Sequence, residues 1–149
     1  MKAEVISTGA EFLLGASLDT NGPWLARELA ALGFQVDSLR LVGDQERDLE
    51  EAFQGALQRH DLVIVTGGLG PTVDDLTRKV VAKVTGRSLV YREELARGIE
   101  DFFKQRNWPC PKANLNQAFS PQGSLGIPNP LGTAPGFIVK TGKSHLAVM

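Results

Sequence analysis

The chain is poor in the residues that build metal cages and cross-links. Its 149 residues include one cysteine, Cys110, and two histidines, His60 and His145, far apart in sequence. An internal disulfide is excluded, and a cysteine- or histidine-based zinc site has too few ligands. A bias of charge is missing too: 16 Lys+Arg stand against 17 Asp+Glu, for a net charge of −1. Such a balance leaves no electrostatic footprint for nucleic acid or an anionic membrane. No stretch approaches the ~20 apolar residues of a membrane span. The apolar run after Met1 is too short for the core of a secretory signal. A cytoplasmic protein is the expectation. What is present is ordinary for a globular domain: 42% hydrophobic residues, 22% charged residues and 16 glycines. One domain of this length buries roughly 68–70% of its unfolded surface, enough to fold without disulfides or a structural metal.

The first two thirds of the chain alternate strand and helix patterns. Ala3–Thr8 is a β-rich run that stops at Gly9, and a polar loop over residues 10–22 follows. Asp19-Thr20-Asn21-Gly22-Pro23 opens a helix, with an Asx or Thr cap and proline in the first turn. Leu25, Leu29 and Leu32 share its apolar face, and Gly33 ends it. Phe34–Val42 is a second strand, closed by Gly43. Asp44 then starts a helix carrying Leu49, Ala52, Phe53, Ala56 and Leu57. Leu62–Val65 is a continuous apolar run of the kind that is buried on both faces of a parallel sheet. After the turn Thr66–Val73, Asp74 or Asp75 caps a third helix with Leu76, Val80, Val81 and Val84 inward. Residues 93–106 form a fourth, with Leu95, Ile99, Phe102 and Phe103 inward. Residues 107–135 hold six of the eight prolines and form a long loop region with a short helix over Ala113–Phe119. Gly136–Lys140 and Ser144–Val148 are strands joined by Thr141-Gly142-Lys143.

This alternation implies an α/β domain with a mostly parallel sheet and right-handed crossovers. Ligands of such sheets sit beyond the carboxyl ends of the strands. Three loops therefore converge: one with Glu11 and Asp19, one with Asp44, and the glycine turn Thr66–Asp75. In the last, Gly67, Gly68 and Gly70 let the backbone present several N–H groups to one phosphate, aided by the N-terminus of the next helix. Thr66 and Thr72 add hydroxyls. A tight turn without ligand is the alternative. Known phosphate motifs do not match. Val73 stands where Gly-x-Gly-x-x-Gly needs its third glycine, and Phe137 replaces the first glycine of a P-loop ending at Gly142-Lys143-Ser144. Glu11, Asp44, Asp74 and Asp75 gather at one edge, where a divalent cation would offset their repulsion of a phosphate. Asn114, Gln117 and Thr133 add polar groups from later loops. Trp24 and Phe102-Phe103 are expected in the core or a subunit contact. Cys110, between two prolines, has no activating neighbour.

Several segments together are distinctive: Gly9-Ala10-Glu11-Phe12-Leu13-Leu14-Gly15, Asp19-Thr20-Asn21, Val42-Gly43-Asp44, Thr66-Gly67-Gly68-Leu69-Gly70-Pro71-Thr72-Val73-Asp74-Asp75 and Asn129-Pro130-Leu131-Gly132-Thr133-Ala134-Pro135-Gly136. In this order they resemble the N-terminal domain of the CinA family (competence/damage-inducible protein), within the molybdopterin-binding, MogA/MoeA-like superfamily. The resemblance implies a three-layer α/β/α fold. It also implies divalent-metal-dependent hydrolysis of ADP-ribose to AMP and ribose 5-phosphate, with Mg, Mn or Co as cofactor. Glu11, Asp44 and Asp75 would be catalytic, and Asp44, Asp74 and Asp75 would hold metal. Thr66, Gly67, Gly68, Gly70, Thr72, Asn114, Gln117 and Thr133 would bind substrate phosphates. The alternatives are molybdopterin or nucleotide binding or transfer in molybdenum-cofactor synthesis, and a non-catalytic ligand-binding module. A nucleotide or pterin is the expected partner, with no nucleic acid or membrane, and the resemblance suggests a homo-oligomer. Ala10 departs from the hydroxyl residue the family often has. Residues 1–149 read as a single domain cut short at its C-terminal end, without the amidohydrolase domain of many relatives.

Overall fold

The computed structural model describes residues 1–149. In chain order the elements are β1 (Lys2–Thr8), α1 (Ala10–Leu13), α2 (Asn21–Ala31), β2 (Gln35–Val42), α3 (Glu46–Arg59), β3 (Leu62–Thr66) and α4 (Thr77–Val84). Then come β4 (Leu89–Tyr91), α5 (Glu93–Gln105), a 3-10 helix (Lys112–Ala118), β5 (Phe119–Pro121), β6 (Leu125–Ile127), β7 (Gly136–Thr141) and β8 (Ser144–Val148). Six strands form one sheet in the order β2-β1-β3-β8-β7-β6, and β4 and β5 pair separately. β1 is parallel to β2 and β3, and β3 is parallel to β8. β7 is antiparallel to both β8 and β6, so it alone runs against the rest.

The strand period sorts side chains onto two helical layers. On one face Ile6, Val63, Val65, Leu146 and Val148 pack against Leu49, Phe53 and Ala56 of α3 and Val80 and Val81 of α4. On the other, Ala3, Val5, Ile64 and Ala147 meet Leu25 and Leu29 of α2. The result is the expected three-layer α/β/α arrangement. Phe53 is fully buried, and truncating such a side chain costs ~3–5 kcal/mol. A third cluster joins Ala96 and Ile99 of α5 to Ala118.

Several boundaries differ from the sequence reading. The loop after β1 contains the single-turn helix α1. Helices α3 and α4 begin at Glu46 and Thr77, so Asp44, Asp74 and Asp75 lie outside them. Each is engaged, or exposed, in the preceding loop. The segment after α4 carries β4, β5 and β6, three residues each. Runs so short show no alternation to read. The proposed short helix exists as the 3-10 turn Lys112–Ala118. Leu32 and Trp24 are exposed rather than packed inside.

At the amino end of the sheet lies a buried ionic cluster. Glu4, fully buried on β1, accepts from Ser38 Oγ (3.1 Å) and pairs with Arg40 Nη2 (3.1 Å) through Oε1. Its Oε2 makes charge contacts only, with His60 Nδ1 at 3.1 Å and Arg59 Nη2 at 3.7 Å. His60 Nε2 lies 2.6 Å from Asp37 Oδ1. That bond holds the Asp37 carboxyl below its ordinary range.

Candidate functional site

Because β1, β2, β3, β8 and β6 run one way, their carboxyl ends share one edge of the sheet, where β7 begins. The connections 9–20, 43–45, 67–76 and 128–135 all open there. The edge is the convergence expected from a parallel sheet.

The glycine turn is built around contacts that leave no room for side chains. Gly67 and Gly68 have φ of +95° and +67°, a region that favours glycine. A Cβ on Gly67 would stand 2.5 Å from the Thr8 carbonyl oxygen, and one on Gly68 would collide with the Thr77 hydroxyl. Thr8 Oγ1 donates to Thr66 O (3.1 Å), and Gly67 N donates to Met149 O (3.2 Å). The Leu69 carbonyl is pinned twice, by Arg78 Nη2 (3.2 Å) and by Gln117 Nε2 (3.4 Å). In a trans peptide the next N–H points opposite the carbonyl. Gly70 N–H is thereby aimed away from Arg78 and Gln117. The amides of Gly68, Leu69 and Gly70 donate to no acceptor in the protein. Three consecutive free donors at a strand-to-helix turn make an anion cradle.

Arg78 is buried in the first turn of α4. Burial pushes its guanidinium down to about 10, with the Asp75 charge acting the other way. Its Nε has no hydrogen-bond partner. The Arg78 side chain was not legible in sequence, where a lone arginine in an amphipathic helix reads as solvent-facing. Thr8 and Thr77, whose hydroxyls lie 3.5 Å apart beneath the turn, were missed too. The only hint was a hydroxyl at a strand end.

Gln117, Asn114 and Thr133 are brought together as expected. Asn114 Nδ2 donates to Gln117 Oε1 (3.3 Å) and to Thr133 Oγ1 (3.4 Å). A continuous polar chain thus runs from Leu69 through the 3-10 helix to the loop before β7. Asn129 shapes that loop: its Oδ1 accepts from Leu131 N and Gly132 N, and its Nδ2 donates to Ala134 O.

The acids play more local parts. Asp44 Oδ2 accepts from Ala10 N (2.8 Å), tying the end of β2 to the start of α1. Asp75 Oδ2 accepts from Thr72 N (2.8 Å) and Thr72 Oγ1 (2.5 Å), so it closes the glycine turn instead of capping α4. Asp74 is exposed. The Glu11 carboxylate folds over Gly9, where a Cβ would meet it at 2.6 Å. The N-cap of α2 is Thr20, whose side chain makes no cap bond; Asp19 just before it accepts from Gly22 N (2.9 Å) in the first turn and from Ser7 Oγ (2.7 Å). Ser7 in turn accepts from Thr66 Oγ1 (3.3 Å). The hydroxyls of Thr66 and Thr72 are therefore engaged within the protein. No three Asp, Glu, His or Cys side chains converge on one point. The three-aspartate metal set of Asp44, Asp74 and Asp75 is not assembled by the protein alone. Burial, with the Glu100 charge beside it, pushes the Cys110 thiol up. No helix is long and apolar enough to cross a membrane.

Similarity to other proteins agrees with this geometry. A family profile described as "Probable molybdopterin binding domain" matches residues 4–149. A CinA-like protein of Dictyoglomus thermophilum is 44% identical over 149 residues, which is 100% of this chain and 36% of that protein. The crystal structure of the protein CinA, of unknown function, from Thermoplasma acidophilum superposes with a TM-score of 0.90 at 34% identity. The match covers 99% of this chain and 86% of that one. The molybdopterin biosynthesis enzyme MoaB from Thermus thermophilus shares the fold, with a TM-score of 0.62 at 18% identity over 99% of this chain and 79% of that one. The chain spans 36% of the length of the curated CinA-like relative. It belongs to the molybdopterin-binding domain family and, within it, to the CinA-like proteins.

Proposed function

We propose that this domain binds a phosphorylated nucleotide or pterin, with a phosphate seated on the amides of Gly68, Leu69 and Gly70. The observation that carries this reading is the set of three consecutive N–H groups without acceptors, of which Gly70 N–H is oriented by the doubly pinned Leu69 carbonyl. Preorganised donors of this kind hold an anion without a further cost of ordering the loop. The positive end of α4 adds to the field. Membership of a family described as a probable molybdopterin binding domain favours a pterin or nucleotide over a simple anion.

The carboxylates do not fit a metal centre built by protein groups alone, since no three converge. A divalent cation would need ligand phosphate oxygens beside Asp44 or Asp75. Glu11, Asp44 and Asp75 act in this reading by shaping the loops around the cradle.

Calorimetry with ADP-ribose, AMP and a pterin monophosphate tests the proposal. At least one is expected to bind, and Gly68→Ala is expected to remove that binding. Binding that survives Gly68→Ala would contradict it. Titration with Mg²⁺ alone should show no saturable site, whereas Mg²⁺ should tighten a diphosphate ligand. Release of AMP from ADP-ribose, followed by chromatography, would add catalysis to binding.

A further inference from the structure

Arg78 carries a charge that the protein leaves unpaired. It is the second residue of α4, 6% exposed, and lies directly behind the glycine turn. Its Nη2 donates to the Leu69 carbonyl (3.2 Å), its Nε has no partner, and it forms no salt bridge. The fold treats its fully buried carboxylate differently: Glu4 is met by Arg40, Arg59 and His60. At about 10, the Arg78 guanidinium keeps its proton at neutral pH. A buried charge without a counter-charge is costly. A chain that keeps one at this place gains most from an anion brought in from outside.

Pinning the turn does not require this charge. Gln117 Nε2, a neutral donor, already reaches the same carbonyl at 3.4 Å. What Arg78 adds is charge and polarisation. The Leu69 carbonyl that accepts from it shares a peptide group with Gly70 N–H, which has no acceptor. Donation to a peptide oxygen strengthens the N–H of the same group, and charge-assisted hydrogen bonds are about twice as strong as neutral ones. The carboxylates of the edge work against it: Asp74 and Asp75 on the turn, Glu11 and Asp44 on the neighbouring loops. Asp75 is the one whose charge Arg78 feels, and its carboxylate is engaged by Thr72. The attraction of a fixed cation scales with the charge of its partner. A phosphate with two charges therefore gains twice what a phosphate with one gains.

We propose that Arg78 is a positioning residue that sets the charge preference of the glycine turn, so that the site takes a terminal phosphomonoester as its dianion over the singly charged phosphates of a diphosphate diester. The inference rests on the phosphate site proposed above and narrows its ligand class.

The test is calorimetry with AMP, a pterin monophosphate and ADP-ribose, free of divalent metal, between about pH 5.5 and about pH 7.5, across the second ionisation of a phosphomonoester near ~6. Histidines ordinarily titrate in this window, and both, His60 and His145, lie at the amino end of the sheet. AMP or the pterin should bind the wild type roughly fourfold more tightly at the upper pH, following the dianion. ADP-ribose, whose phosphates keep one charge each throughout, should bind more weakly and with a level profile. Arg78→Gln keeps a neutral donor and removes the charge. It should weaken the monoester at the upper pH at least about tenfold, roughly 1.4 kcal/mol, and level its pH profile. Without ligand, Arg78→Gln should melt at or above the wild type, since an unpaired buried charge is gone. A wild-type profile without the rise, the same rise for ADP-ribose, or wild-type affinity in Arg78→Gln would overturn the inference. So would a variant that loses stability and affinity together but keeps the rise, which marks Arg78 as a structural pin. The wild-type profile decides by itself if Arg78→Gln does not fold. Binding lost in Gly68→Ala but intact in Arg78→Gln overturns this inference and leaves the phosphate site standing. No binding of either monoester by the wild type overturns both.

Discussion

The two ends of the sheet handle polar groups in opposite ways. At the amino end, the buried Glu4 and His60 are turned toward one another and toward the more accessible Arg40 and Asp37. At the carboxyl end, hydroxyls and carboxylates are spent on the backbone, and the amides of Gly68, Leu69 and Gly70 are left without acceptors. The closed cluster holds the fold, and the open edge is where the proposed ligand would sit. A charge set whose members already pair with one another has little to offer a ligand. A row of fixed, unpaired donors does.

This contrast is broken most forcefully at Glu4. Glu4→Ala leaves His60 and Arg40 without their buried partner and should cost ~3–5 kcal/mol of stability, measured by chemical denaturation. Ligand affinity of the remaining folded protein should be unchanged, and a matching loss of affinity would mean that the two ends are coupled. Gly68→Ala should do the reverse. Its forced positive φ costs on the order of 1–3 kcal/mol, but the main effect is loss of phosphate binding, read by calorimetry.

Asp75 and Asp74 sharpen the contrast within the edge itself. Asp75→Ala removes two hydrogen bonds to Thr72, and should lower stability by ~1–2 kcal/mol and weaken phosphate binding severalfold. Asp74→Ala should alter neither, since Asp74 is an exposed side chain. Equal effects of the two would show that Asp75 acts by charge and not by closing the turn.

The smallest effect belongs to Glu46, which joins α3 to α4 through Lys79 and Lys83 and is held at about 2 by their hydrogen bonds. Its carboxyl is depressed in the folded state, so its contribution is fully present above the ordinary glutamate range. It is lost as pH falls toward about 2. Glu46→Gln should flatten that part of the acid melting profile, with no effect on ligand binding.

Much of this was legible in the sequence because it depends on period and punctuation. Leu62–Val65, the amphipathic run Leu49–Leu57 and the glycines after Thr66 fix three parallel strands and their shared edge. Asn114, Gln117 and Thr133 carried no periodic signal and were legible only as polar groups on later loops, with their binding role implied by the family likeness. The rest depends on contacts distant along the chain. Asp44 looks like a cap to its own helix, but Ala10, thirty-four residues earlier, claims its carboxylate. Asp75 looks like a cap for the same local reason, yet bends back to Thr72. Arg78 and the His60–Glu4 pair owe their roles to burial, which short-range pattern does not encode. β6 was not legible because it is three residues long and shows no alternation.

The most direct measurement is a crystal structure of the domain with AMP bound. The account predicts the phosphate within hydrogen-bond distance of Gly68, Leu69 and Gly70 N. A phosphate held elsewhere, with those three amides facing only water, would contradict it.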